Sequence, residues 1–143
     1  MFNIEEMAED IHRETYAQEM AYPFNKNDYI KLVVNGIRKL YVDINHPEMY
    51  DRSLLTTDED NTLVYDYDFT ILQEDYIHTV CLISYKQMYY SEHTGDKAKS
   101  YTTDAITVTG AKEGYKSVLE ELVNLEAERI RLFHKLMAHE AAT

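Results

Sequence analysis

Apolar residues recur along this chain mostly at helical spacing. Ile4, Met7, Ala8 and Ile11 fall at i, i+3, i+4 and i+7, which predicts an amphipathic helix over about 4–20. Asn3 with Glu6 three residues on matches a capping box, and Pro23 follows the predicted end. A second stripe, Ile30, Val33, Val34, Ile37, Tyr41 and Ile44, predicts a helix over 26–44. Asn25 and Asp28 offer its start, and Asn45-His46-Pro47 closes it, because the residue before proline disfavours helical geometry. Gly36 lies inside this stripe. Glycine in a helix interior costs up to about 1 kcal/mol relative to alanine, so a close helix contact is expected there.

Residues 45–62 read as a long loop with a short helical turn near Glu48–Leu54. In Leu63-Val64-Tyr65-Asp66-Tyr67-Asp68-Phe69 the period changes to two, which predicts a half-buried strand. Thr70 and Gln73 give a second capping-box pattern, opening a helix over 71–93 with Ile77, Val80, Cys81, Ser84 and Met88 as its stripe. Gly95 is its stop signal. Segment 96–111 is polar and Thr-rich, and Ile106 and Val108 alternate with Thr, which fits a loop or a short strand able to pair with 63–69.

The last helix is predicted over about 111–139, spanning roughly 42 Å. Val118, Leu119, Leu122, Leu125, Phe133, Leu136 and Met137 mark its apolar face. Glu120 and Glu121 lie early and Arg129, Arg131 and Lys135 late, which suits the helix dipole. Glu126–Arg129 and Glu128–Arg131 are i,i+3 pairs. The helix is longer than the core of such a domain needs, so its far end is expected to pack on another chain. The fold class is therefore mainly α: one domain over 1–143, a bundle of about four helices with a small β element or extended hairpin and a long C-terminal helix.

Composition agrees. The 143 residues include only 4 Gly and 2 Pro, which favours long elements over a sandwich or barrel, and 45% hydrophobic with 28% charged residues is globular. The net charge is −12. No basic face is evident for binding nucleic acid or an anionic membrane. No apolar run approaches the ~20 residues that span a bilayer, and MFNIEEMAED lacks the basic start and apolar stretch of a signal peptide. The single Cys81 allows no internal disulfide, so folding in a reducing cytosol is expected. Thirteen Tyr suit either core edges or subunit contacts.

The charge is uneven. Residues 45–75 hold nine acids (Glu48, Asp51, Asp58, Glu59, Asp60, Asp66, Asp68, Glu74 and Asp75) against Arg52 alone, so −8 of the −12 lies there. Such a block repels itself and suits a solvated loop, a metal site, or a surface that must not stick to a polyanion.

Motifs for chemistry are sparse. Glu9-x-x-His12 and Asp75-x-x-His78, with Glu74, approach the ligand spacing of di-iron bundles, but Ile11 rather than His12 continues the buried stripe and the second helix offers no Glu. Solvated charged faces are expected, with a ferritin-like metal-binding bundle as the alternative. Asp58-Glu59-Asp60-Asn61 fails the EF-hand pattern, because Leu63 and Phe69 occupy the positions that need Gly and an acid. His134 and His139 are five apart, not four, and His46 and His93 read as loop or helix-end residues. Cys81 reads as a small core residue. No nucleophile elbow or phosphate-cradling Gly-rich loop is found, so neither an enzyme nor a cofactor is expected.

The layout of the last third, Ser100-Tyr-Thr-Thr-Asp-Ala-Ile-Thr-Val-Thr-Gly110 leading into the helix Tyr115…LEELVNLEAERIRLF…His139, resembles the head–tail connector (adaptor) proteins of tailed bacteriophages and prophages. The helices over 26–44 and 71–93 fit the same helical core, whereas the acidic stretch at 45–69 has no counterpart in that pattern. The resemblance implies a virion structural protein made in the host cytoplasm. It implies a ring, typically of twelve copies, below the portal, which joins head to tail proteins and extends the DNA channel without sequence-specific binding or membrane contact. It also implies a chain that stays monomeric until it meets its partner. Asp58, Glu59, Asp60, Asp66 and Asp68 are then candidates for a channel wall, and His134, Leu136, Met137 and His139 for portal docking. An acidic regulatory protein that binds a basic partner is a further alternative.

Overall fold

The computed structural model describes residues 1–15, 25–100 and 105–142, and side chains within these except at 89–118 and 140–142. Among the described residues four α-helices, α1 (Ile4–Thr15), α2 (Lys26–Asp43), α3 (Ile71–Ser100) and α4 (Ala105–Ala142), accompany three short strands, β1 (Phe2–Asn3), β2 (Leu55–Thr57) and β3 (Leu63–Tyr65). The sheet is antiparallel in the order β1-β3-β2. This is the mainly helical architecture with a small β element and a long last helix that the periodicities predict.

Helix starts follow their capping residues. Asn25 and Asp28 form a complete capping box at α2. Thr70 and Gln73 do the same at α3, where the Gln73 N–H donates to Thr70 Oγ1 at 3.2 Å and the Thr70 N–H donates to Gln73 Oε1 at 2.9 Å. At α1 the Glu6 N–H donates to Asn3 Oδ1 at 3.0 Å. The expected extension of α1 over 16–20 lies outside the described residues.

Four expectations are corrected. The strand is shorter than 63–69. Its central position in the sheet buries both Val64 and Tyr65, and the Tyr67 N–H then donates back to Tyr65 O at 2.7 Å, turning the chain out of the sheet. Its partners are β1 and β2, not segment 96–111. Gly95 does not stop α3, which continues to Ser100; no described glycine has the positive φ that a terminating glycine adopts. Ile106 and Val108 lie in α4; helix propensity penalises β-branched residues only by tenths of a kcal/mol.

The core sits where α1, α2 and α3 meet beneath the sheet. Ile4, Ala8, Ile11, Tyr29, Val33, Ile37, Leu40, Tyr65, Ile77 and Cys81 are buried there. Gly36 lets α2 and α3 touch: an added Cβ would lie 2.8 Å from Cys81 Sγ and 3.3 Å from the Ile77 carbonyl oxygen. Because α3 runs between neighbours, Tyr76, Thr79, Ile83, Tyr85 and Lys86 are buried beyond its predicted stripe, while Ser84 is half-buried and Met88 exposed. Among the tyrosines with described side chains only Tyr67 is exposed, so they serve the core more than a subunit edge.

α3 and α4 run antiparallel as a pair of about 45 and 57 Å. Polar ties fix their register. The Tyr76 hydroxyl donates to Asp43 Oδ2, Arg129 donates to the Tyr76 hydroxyl oxygen at 3.2 Å, and Lys39 pairs with Asp43 at 2.9 Å, so α2, α3 and α4 share one network. Buried Lys86 pairs with Glu121 further along.

Candidate functional site

The acidic stretch forms the β2–β3 hairpin and its approach. Asp58 Oδ1 accepts from the Asp60 and Thr62 N–H groups, each at 2.9 Å, and Asn61 takes a left-handed φ of 61°. Asp58 therefore builds the turn. Glu59 and Asp60 are exposed at its tip. The Ser53 hydroxyl donates to Asp51 at 2.7 Å and, with the Ser53 N–H, holds its carboxyl below the usual range. The backbone N–H of Glu48 and then His46, at 3.2 Å, lower the Glu48 carboxyl in the same way. Asp68 is exposed and pairs with the N-terminal amine, and Asp66 is exposed after its own N–H donates to Leu54 O at 2.8 Å. The channel-wall candidates thus divide: Glu59, Asp60 and Asp66 offer negative surface, Asp68 faces the N-terminus, and Asp58 is a turn former.

The metal-spacing motifs come apart. His78 Nε2 lies 2.8 Å from Glu14 Oε2, and the His12 ring stands edge-on to Tyr29 at 5.2 Å. Among the described residues no group of three or more His, Cys, Asp or Glu could hold a metal ion. Glu5, Glu9, His12 and Lys26 line a cleft of about 220 Å³. Lys26, at 2.6 Å, and then the Leu63 N–H hold the Glu5 carboxyl below its usual range. That contact ties α1, α2 and β3 and is structural.

Among the described residues, exposed apolar side chains gather on α4 and near the sheet. On α4, Leu132 and Leu136 face the core, and Leu122, Leu125 and Phe133 are half-buried. Leu136 is 5% exposed, so it packs the core and is unavailable for docking, a correction that follows from its position on the face turned to the body. His134, Met137 and His139 are exposed. Val123 is 67% and Ile130 46% exposed, and with Leu119 and Met137 they form one line at spacings of four, seven and seven. At about 100° per residue these positions fall within a narrow stripe running roughly 27 Å along the helix. Sequence reasoning misses Val123 and Ile130, although their heptad spacing to Met137 is a signal for them.

The second surface surrounds the sheet's open end. Phe69 packs against Phe2 at 5.3 Å, Tyr65 at 5.7 Å and Tyr67 at 5.0 Å between ring centres. Around this cluster, Met1, Tyr67 and Ile71 are exposed, Ile71 to 79%. Among the described residues no helix is long and apolar enough to cross a membrane, so a bilayer-spanning helix does not account for these surfaces.

No protein-family model, curated protein or solved structure matches this chain.

Proposed function

We propose that the chain is a structural subunit of a tailed-bacteriophage neck, a head–tail connector that forms a ring below the portal and extends the DNA channel toward the tail. The observation that carries this reading is the exposed apolar stripe on α4, whose opposite face already packs on the body. A helix about 57 Å long with one buried and one open apolar face suits side-by-side packing of identical copies. The acidic hairpin tip gives the ring a wall that repels the DNA backbone as it passes. Glu59 and Asp60 take that role, because Asp58 is spent on the turn. Portal docking falls to the exposed end of α4, at His134 and His139, with Met137 left to the stripe.

The test is Glu59→Gln with Asp60→Asn in the assembled virion, leaving Asp58 intact. Folding and ring formation are expected to survive while DNA retention or delivery falls. Unchanged infectivity would remove the lumen role.

A further inference from the structure

A groove of about 380 Å³ lies where α2, α3 and α4 meet. Its floor is apolar, made by the buried Val80 and Ile83 of α3. Its walls are polar: Asn35 and Lys39 come from α2, Ser84 and Gln87 from α3, and Glu126 and Arg129 from α4. The two wall residues of each helix are three or four apart, so each helix turns one face to the groove. The charged groups are held in place by the protein itself. Arg129 Nε donates to Glu126 at 2.8 Å, and Arg129 Nη1 donates to the Tyr76 hydroxyl oxygen at 3.2 Å. Lys39 pairs with Asp43 at 2.9 Å, and Arg129 Nη1 stands 3.7 Å from the same carboxylate. Two bonds fix the plane of the guanidinium, so its remaining nitrogen is a pre-set donor.

Two bases face two acids, so the charge of this cluster cancels, and the hydrogen-bonding groups left over decide what fits. Both acids already accept: Asp43 Oδ1 takes Lys39 and Asp43 Oδ2 takes Tyr76, while Glu126 takes Arg129. The bases have donors to spare. Among the described residues Arg129 Nη2 has no hydrogen-bond partner, and Lys39 has Asp43 alone. Asn35 and Gln87 are exposed and Ser84 half-buried along the same walls, and each adds a donor. We propose that the groove binds a small carboxylate with a branched aliphatic body. The carboxylate accepts from Arg129 Nη2 and Lys39, with Asn35, Ser84 and Gln87 beside it, and the body rests on Val80 and Ile83. Hydrogen bonds from a cation to an anion are about twice as strong as neutral ones, which favours a carboxylate over an amide. An ammonium group finds both acids already engaged.

This site goes beyond the ring reading and does not depend on it. The test is a titration of the whole chain, followed by proton–nitrogen NMR, with three probes of one shape: 3-methylbutanoate, 3-methylbutanamide and 3-methylbutylamine. Salt at about 0.15 M screens the net charge of −12, which opposes any anion at long range. The carboxylate is expected to move the Arg129 Nε–H signal and the side-chain amides of Asn35 and Gln87, saturating with a Kd of about 1 mM. The amide is expected to bind about tenfold more weakly. Arg129→Lys keeps the positive charge, lacks Nη2, and is expected to weaken the carboxylate about tenfold. Gln87→Ala changes an exposed residue, so it is expected to melt as wild type and to weaken binding about threefold, which keeps the test open if Arg129→Lys does not fold. Equal binding of the amide, or tighter binding of the amine, would overturn the assignment. So would a response that does not saturate at tens of millimolar, or one that falls on surface residues away from the groove.

Discussion

Replacing Gly36 by alanine tests how the helices are held together. In an exposed helix the change is worth about 1 kcal/mol in favour of alanine. Here the new methyl group would sit 2.8 Å from Cys81 Sγ, 3.2 Å from Ile77 Cγ2 and 3.3 Å from the Ile77 carbonyl oxygen. The sulfur cannot simply swing aside, because Cys81 is buried and donates to Leu32 O at 3.3 Å. The carbonyl belongs to the backbone of α3, so relief there means moving a helix. Overpacking of this kind costs about 1–3 kcal/mol. With a backbone atom among the obstacles the upper half of that range applies, leaving a net loss of about 1–2 kcal/mol. For a chain of this size that is a fall in Tm of roughly 3–6 °C. Thermal unfolding followed by circular dichroism reads it. The double variant Gly36→Ala/Cys81→Ala supplies the control. Removing the sulfur should cost stability in the wild type and cost much less, or nothing, in the Gly36→Ala background, a coupling of about 1 kcal/mol. A Gly36→Ala protein that melts about 2–3 °C higher than wild type would refute the close approach of α2 and α3.

Two further outcomes concern pH. Burial, and then the bond to Asp43, push the Tyr76 hydroxyl up to about 12. Its folded pKa exceeds its unfolded value, so its contribution is complete below about 10 and is lost as pH rises toward 12. Tyr76→Phe should flatten part of the alkaline loss of stability, only part because burial also raises Tyr41 and Tyr65; an unchanged alkaline profile would contradict the network. Glu5 has the opposite sign. Lys26 and Leu63 lower its folded pKa, so its contribution is present above the ordinary carboxylate range and is lost as pH falls through that range. Glu5→Gln should lower stability at neutral pH and leave it nearer wild type at about pH 3, measured by urea unfolding; an equal loss at both values would remove the ion pair from consideration.

The helices are legible because their signals are local. Asn25 with Asp28, and Thr70 with Gln73, name their own N-termini, and Gly36 announces its contact by being costly anywhere else. The strands are less legible. Leu55–Thr57 is three residues long, too short for a period, and Phe2–Asn3 shorter still; their pairing with β3 is a long-range fact. Asp58-Glu59-Asp60-Asn61 reads as a loop and a failed calcium pattern, although a turn between Leu55-Thr56-Thr57 and Leu63-Val64-Tyr65 is a hairpin signal. At Gly95 and Ile106 local preference points away from helix and is overridden. On α4 the apolar positions outnumber what one face can bury. Periodicity alone does not say that Leu136 turns inward while Ile130 stays in water, because that depends on where α3 lies.

The proposed association of copies around an open axis is open to direct measurement. The wild-type protein at millimolar concentration, where mass action replaces a missing partner, should give closed particles by native mass spectrometry and negative-stain microscopy, each with a central hole and a single copy number. A 16.8 kDa monomer throughout, with no larger species at any concentration, would contradict the ring.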